Sequence, residues 1–295
     1  MPDIQFSDVT KEFGEARGLF HMSFQVQEGQ AYAILGPEGA GKSTVFSLLM
    51  GFLAPDEGAC EVRGHDCFRN YARVHKLVGF APASAAFPPG VGGEYYLRML
   101  SDRHGGTSEE RIQSLMERLD INPMGPFGRM TMENRRKMAL LFGLMYDSPI
   151  LVLDEPYAGL QVFARNALTD VLLEEKKKGK TILILTHVLQ QAQKLCDRIA
   201  ILRQGRMVVE QSAEQLQFSR QKVYHVTFET TEEAARFSQE WEKGAELLGV
   251  RAIVAIPGSP QTLIKTLARY DVKDLVGGRD QNEEAFLRDW GDEML

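Results

Sequence analysis

The chain has 295 residues, 44% of them hydrophobic and 25% charged, with a formal charge of −6 at pH 7. That composition is ordinary for a globular protein sized for one large domain, or one large and one small. The acidic balance argues against non-specific nucleic-acid binding as the main task, and the longest apolar window, Met138 to Tyr146, is far too short to cross a bilayer.

The start, Met1-Pro2-Asp3-Ile4, lacks a basic stretch followed by an apolar core, so no signal peptide is expected. Cys60, Cys67 and Cys196 fit no metal spacing and are expected to be reduced thiols of a cytosolic chain. Ile4 to Val9 and Met22 to Val26 alternate apolar and polar residues, as half-buried strands do. Between them Lys11-Glu12-Phe13-Gly14 reads as a turn. Phe13 either stacks on a nucleotide base or packs as an ordinary aromatic residue, and the pattern leaves both open.

The apolar run Ala31 to Leu35 is short enough for a buried strand, and Val45 to Met50 reads as a helix. Between them lies Gly36-Pro37-Glu38-Gly39-Ala40-Gly41-Lys42-Ser43-Thr44, which meets the G-x-x-x-x-G-K-[ST] pattern of a phosphate-binding loop in its required strand–loop–helix setting. Glycines let backbone N–H groups turn toward phosphate oxygens, and the helix start adds free donors and a positive dipole end. Lys42 is placed to reach the β- and γ-phosphates, and the Ser43 hydroxyl to hold Mg²⁺.

Pro55 to Gly58 is a turn before a short strand, Ala59 to Val62, and Leu77 to Phe80 is a further strand. From about Glu94 to Tyr146 the pattern is helical. Thr107 and Glu110 suggest a capping box, and Thr131 to Tyr146 reads as a second helix. This block, about 84–147, looks like a helical insert between strand-rich parts. Ile150 to Leu153 is a buried strand ending in Asp154-Glu155-Pro156. Phe163 to Lys178 is a helix whose basic end suits its C-terminus. Thr181 to Leu185 is another buried strand, followed by Thr186-His187, and Gln204-Gly205 turns a hairpin. Strands alternating with helices predict a mostly parallel, covered sheet, and with the phosphate loop an α/β fold of the P-loop NTPase type.

From about Val223 the pattern shifts. Tyr224, Val226 and Phe228 alternate as a strand, and Thr230 with Glu233 caps a helix carrying Phe237, Trp241 and Leu248. A strand at Ala252 to Ile256 follows, then a helix from Ser259-Pro260, a strand at Val272 to Val276, and a last helix capped by Asn282. The expected division is a nucleotide-binding domain over 1–220 and a small α+β accessory domain over 221–295, joined by the polar, helical stretch Ser212 to Gln221. The second domain holds no catalytic constellation, and its His225 reads as a sheet residue.

An apolar strand ending in Asp-Glu downstream of a phosphate loop has a physical purpose. Asp154 is suited to hold Mg²⁺ and so position the γ-phosphate, while Glu155 is suited to polarise the attacking water as general base. His187, at the end of a neighbouring strand, is suited to bond the γ-phosphate or that water.

With these motifs in hand, the order of phosphate loop, helical insert, Leu-Asp-Glu-Pro and Thr-His resembles the ATP-binding cassette subunits of ABC transporters, from Ile4 to about Leu216. Phe13-Gly14 at the base-stacking loop, and Asp197 to Ala200 leading to Gly205-Arg206, add to the likeness. The end of the chain, Glu283 to Leu287, is similar to the tail of exporter-type cassettes. The resemblance implies an antiparallel β subdomain beside the parallel sheet, and a cytoplasmic ATPase using Mg²⁺ and ATP at the cytoplasmic face of the membrane. It pairs head to tail with a second cassette subunit and drives an integral membrane permease subunit, with no nucleic acid involved.

Three positions depart from the family. The signature falls at Met130-Thr131-Met132-Glu133-Asn134 and lacks both glycines. Met132 restricts approach to the opposite γ-phosphate, and Glu133 either brings a carboxylate near it or points to solvent. Two like charges about 4 Å apart repel by roughly 4 kcal/mol at an effective dielectric of 20. That exceeds a hydroxyl hydrogen bond to a charged group at about 1.5–3 kcal/mol. The glutamine that senses Mg²⁺ is Ala83, and the aspartate closing the loop after the Asp-Glu strand is Gln161. These departures predict slow hydrolysis by the pure chain and better function beside a different cassette with an intact signature. The alternative is a regulatory ATP-binding module that controls a membrane partner with little hydrolysis. A translation or repair ATPase of the same superfamily fits poorly, because there is one cassette and no basic arm.

Overall fold

The computed structural model describes residues 1–15, 17–103, 107–215, 221–241, 244–257 and 259–277. The chain divides into two compact units that meet between Gln211 and Ser212.

In the first unit, β1 (Pro2–Glu12), β2 (Gly18–Gln27), β4 (Glu57–Val62) and the short β5 (His65–Asp66) form an antiparallel sheet in the order β2-β1-β4-β5. Alternation along β2 sends Met22, Phe24 and Val26 inward. β1 runs through Lys11 and Glu12, so the expected turn begins later, at Phe13. The reason is pairing: Lys11 and Glu12 are held in register by Leu19 and Gly18.

The second sheet is β3 (Ala31–Leu35), β6 (Val78–Ala81), β7 (Ile150–Asp154), β8 (Thr181–Thr186), β9 (Arg198–Arg203) and β10 (Arg206–Ser212), in the order β10-β9-β3-β8-β7-β6. Strands β9, β3, β8, β7 and β6 pair in parallel. The central β3, β7 and β8 are buried along their whole length, which is why they read as continuous apolar runs rather than alternating ones. Phe6, Phe24 and Tyr32 stack between the two sheets, with ring centroids 4.6 and 5.6 Å apart. Asp3 ties the sheets together, accepting from Arg63 Nε on one and Thr181 Oγ1 on the other.

Helices α1 (Lys42–Leu49), α2 (Tyr71–Leu77), α6 (Val162–Lys177) and α7 (Leu189–Leu195) accompany this sheet. Between β6 and β7 stand α3 (Gly93–Arg103), α4 (Glu109–Leu119) and α5 (Met132–Leu144). α2 and β5 carry too short a pattern to be read from the sequence. The cap of α4 is Ser108 rather than Thr107, with the Arg111 N–H donating to Ser108 Oγ at 3.3 Å. The two hydroxyls are adjacent in sequence, and only backbone geometry selects between them. Thr131 caps α5, accepting from the Asn134 N–H at 3.1 Å.

The second unit runs β11 (Gln221–Phe228), α8 (Thr231–Glu240), β12 (Glu246–Leu248), β13 (Arg251–Pro257), α9 (Gln261–Leu267) and β14 (Val272–Gly277). Its antiparallel sheet has the order β12-β13-β11-β14, the split β-α-β-β-α-β arrangement. Val226, Phe228, Phe237, Trp241, Val254 and Leu263 fill its core. Thr230 caps α8 through the Glu233 N–H at 3.2 Å, as expected. Leu248 lies on β12 and not on α8, because α8 ends at Glu240 and the chain reverses to pair with β13. The expected helix from Asn282 lies outside the described residues, and the joining stretch Ser212 to Gln221 is only partly within them.

Candidate functional site

β3 delivers the chain to Gly36, just past the carboxyl end of that central strand, and α1 starts at Lys42. A Cβ at Gly36 would stand 2.5 Å from the Leu202 carbonyl oxygen, so no larger residue fits there. Gly41 has φ +110°, a left-handed conformation that ordinary residues avoid, and a Cβ there would strike Leu19 at 2.8 Å. The loop is anchored on both sides: the Gly36 N–H donates to Thr186 O at 3.1 Å, and the Gly205 N–H donates to Ala40 O at 2.9 Å. Pro37, Glu38 and Gly39 form its open rim, and Ala40 is buried.

Lys42 is buried, and its Nζ donates to Gly36 O at 2.6 Å and Pro37 O at 2.9 Å. The same Nζ lies 3.2 Å from Glu155 Oε1. The other Glu155 oxygen, Oε2, is 2.8 Å from His187 Nδ1, which donates when that nitrogen carries the proton. Thr186 Oγ1 adds a longer bond to Oε2 at 3.4 Å. The ends of β3, β7 and β8 thus bring Lys42, Glu155 and His187 into one chain of contacts.

Beside it, Ser43 Oγ donates to Asp154 Oδ2 at 3.1 Å. Asp154 Oδ1 is buried and has no hydrogen-bond partner among the described residues. Burial raises the Asp154 pKa above its ordinary value, against the Ser43 hydrogen bond and the nearby Lys42 and Arg136 charges. A hydroxyl next to a buried carboxylate with one orphaned oxygen is a hard, oxygen-only donor pair, and it suits Mg²⁺.

Phe13 is half exposed and lines a cavity of about 870 Å³ with Gly39, Gly41, Thr44, Arg17 and Arg206. It stands beside the loop glycines, outside the buried core. Arg17 escaped the sequence reading, and Arg206 entered it only through the family likeness, not as a residue of the site. Arg206 follows the hairpin turn Gln204-Gly205, and its guanidinium lies 5.2 Å from the Phe20 ring centroid. A basic residue directly after a turn that abuts the phosphate loop was the available signal.

The three departures have definite places. The Glu133 carboxylate neither reaches outward nor stands free in solvent. Its Oε1 accepts from the Gln161 N–H at 3.1 Å and lies 3.7 Å from Lys137 Nζ. The expected repulsion of a facing phosphate is therefore moderated by a cation of the same helix. Met132 stays prominently exposed, at 73%. The Ala83 side chain cannot reach the site, but its carbonyl oxygen accepts from Arg136 at 3.3 Å. Gln161 starts α6 and makes no side-chain cap.

A phosphate loop, an Asp-Glu strand end and a strand-end histidine on one parallel sheet edge define a P-loop nucleotide-hydrolysing cassette. The sequence profile of the family described as ABC transporter matches residues 19–158. Nod factor export ATP-binding protein I of Burkholderia lata is 32% identical over 216 residues, covering 70% of this chain and 70% of that protein. Daunorubicin resistance ATP-binding protein DrrA3 of Streptomyces coeruleorubidus is 32% identical over 214 residues, covering 70% of this chain and 67% of that protein. Among solved structures, an ATP-binding subunit of an ABC transporter superposes with a TM-score of 0.65 at 24% identity, covering 72% of this chain and 91% of that one; this likeness concerns the fold alone. The chain belongs to the ABC transporter family, as an ATP-binding ATPase subunit.

Proposed function

We infer that the chain binds Mg·ATP at the loop Gly36 to Thr44 and hydrolyses it to drive a separate membrane permease in export. Two relatives with export or drug-resistance names support the direction. No helix among the described residues is long and apolar enough to cross a membrane, so a membrane-spanning part is sought in a partner. The site lies at the cytoplasmic face on this reading. A second cassette subunit completes it, since the family's signature acts across a dimer.

The observation that carries the reading is the contact chain Lys42–Glu155–His187 beside the Ser43–Asp154 pair. Lys42 and the loop N–H groups hold the β- and γ-phosphates. Phe13 stacks on the base. Ser43 and Asp154 would hold Mg²⁺, which when bound neutralises charge developing on the transferred phosphoryl group. Glu155 takes the proton of the attacking water. His187 orients the Glu155 carboxylate through Nδ1–H, and with both ring nitrogens protonated its Nε2–H donates to the γ-phosphate.

A groove of about 640 Å³ next to Ala83, walled by Phe87, Tyr96 and Phe142 with Arg111 at its rim, suits a segment of the permease. The cassette is assigned to 1–220, with its helical part over about 84–147, and 221–295 is assigned as an accessory domain. Retention of Glu155 against His187 favours hydrolysis over the purely regulatory reading.

The test is Lys42→Ala. Nucleotide affinity, measured by titration with a fluorescent ATP analogue, is expected to fall by about tenfold or more, the loss of a charge-assisted contact. Unchanged affinity would sink the assignment.

A further inference from the structure

Arg136 lies about one turn into α5, 7% exposed, behind the Asp-Glu strand end. Its guanidinium donates to four carbonyl oxygens on two neighbouring strand ends. Nη2 bonds Asp154 O at 2.7 Å and Glu155 O at 2.8 Å, and Nη1 bonds Pro82 O and, at 3.3 Å, Ala83 O. β6 and β7, which lead into these segments, are adjacent and parallel, with Ala81 paired to Leu153. One side chain therefore clamps the segment that carries the metal ligand and base to the segment that carries Ala83.

The clamp acts on a strained backbone. Glu155 has φ +46°, the left-handed region that a non-glycine residue occupies only when its surroundings over-determine it. Its N–H is fixed to Leu185 O at 2.7 Å, and its C=O accepts from Arg136 at 2.8 Å and from the Ala158 N–H at 3.0 Å. Removing Arg136 leaves that carbonyl held only within its own turn, with no tie to α5 or to the Ala83 segment. Burial pushes the Arg136 pKa down to about 10, opposed by Asp154 and Glu155, so the group stays a cation at neutral pH. A planar fork with several fixed donors suits this task, and a lysine's single ammonium cannot span the same carbonyls.

We propose that Arg136 is a positioning residue that holds Glu155 and the Ala83 segment in hydrolytic register, supplying from α5 an order that the residue 83 side chain cannot. The proposal rests on the reading of Glu155 as the base. Because α5 also begins with the altered signature segment, capped at Thr131, displacement of that helix would reach Glu155 through this one guanidinium.

The experiment compares Arg136→Lys and Arg136→Ala with the wild-type chain in steady-state ATP hydrolysis, nucleotide titration and amide hydrogen exchange. Arg136→Lys keeps the charge and is the variant that guards against loss of folding. Turnover is expected to fall about tenfold or more, in keeping with the sensitivity of catalysis to small misplacements. Nucleotide affinity should stay within about threefold, since Lys42 and the loop are untouched. Exchange should quicken in peptides spanning 80–86 and 152–160 and nowhere else. The proposal is overturned if both variants keep wild-type turnover, or if turnover, affinity and protection across the whole chain decline together. A double variant separates it from the parent reading: with Glu155→Gln already present, Arg136→Lys should cost almost nothing more. A full additional loss there overturns the role of Arg136 through Glu155, whereas a Glu155→Gln chain that turns over normally overturns the base assignment itself.

Discussion

At Glu155 both carboxylate oxygens are engaged, one by Lys42 Nζ at 3.2 Å and one by His187 Nδ1 at 2.8 Å. An arriving γ-phosphate must compete with the carboxylate for Lys42, and that exchange releases Glu155 to face water. Glu155→Gln removes the competitor and the base together. ATP affinity is therefore expected to hold or rise while phosphate release slows by about 10²–10⁴-fold, the usual contribution of general base catalysis. Nucleotide titration and a phosphate-release assay on the same preparation read the two effects separately. Undiminished release would exclude Glu155 as the base. Asp154 differs from its neighbour in that burial dominates its environment and one oxygen has no partner, which is a cost that a bound divalent cation would offset.

Between elements, a dense polar tie is centred on Glu175 of α6. It receives Arg111 of α4 at 3.0 Å, Lys178 at 2.8 Å and Lys180, just before β8, at 2.6 Å. Arg111 Nε and Nη2 also donate to Leu144 O, the last residue of α5. Three cations outweigh the desolvation of the buried carboxyl and hold its pKa at about 2, against an ordinary 4.5. A carboxyl with a depressed folded pKa contributes stability that is fully present above its unfolded value and is lost as pH falls toward the folded one. Glu175→Gln should thus destabilise at neutral pH by on the order of 3 kcal/mol, because Arg111 and the buried Lys180 lose the carboxylate they share, Lys180 keeping only Asp147 at 2.7 Å. The difference in Tm between wild type and variant should narrow as pH drops from 4.5 toward 2. Thermal unfolding followed by circular dichroism over that range tests it, and a gap that does not depend on pH would assign the loss to packing alone.

On the scale of the whole molecule, the cassette face carries an altered signature whose Thr131 oxygen already caps its own helix and whose Met132 stands exposed where the family has glycine. Pure chain, paired only with itself, is expected to hydrolyse ATP slowly and without cooperativity. Adding a cassette partner with an intact signature should raise the rate. Brisk cooperative turnover by the pure chain would remove the asymmetric pairing from the account. Every residue of the candidate site comes from the first unit, and the second has its own closed core and sheet. Deleting 221–295 is accordingly expected to leave nucleotide affinity as it was, while dimer formation, followed by light scattering, reports what the second unit adds. A loss of affinity would show that the two parts are not separable in function.

How much of this was legible beforehand follows from what local sequence can encode. The loop Gly36 to Thr44, the Asp154-Glu155 strand end and the buried strands were all readable, because backbone conformation and burial impose them on consecutive residues. The cap at Ser108, the pairing that makes Leu248 a strand residue, and α2 depended on geometry or pairing that neighbouring residues specify only weakly. The direction of Glu133 toward Gln161 joins residues 28 apart in the chain, and the grip of Arg136 on four carbonyls joins residues 18 to 54 apart. Side-chain direction and distant pairing arise only when separate elements pack, so only the tertiary structure decided them; the catalytic alphabet was written locally, and its spacing in three dimensions was not.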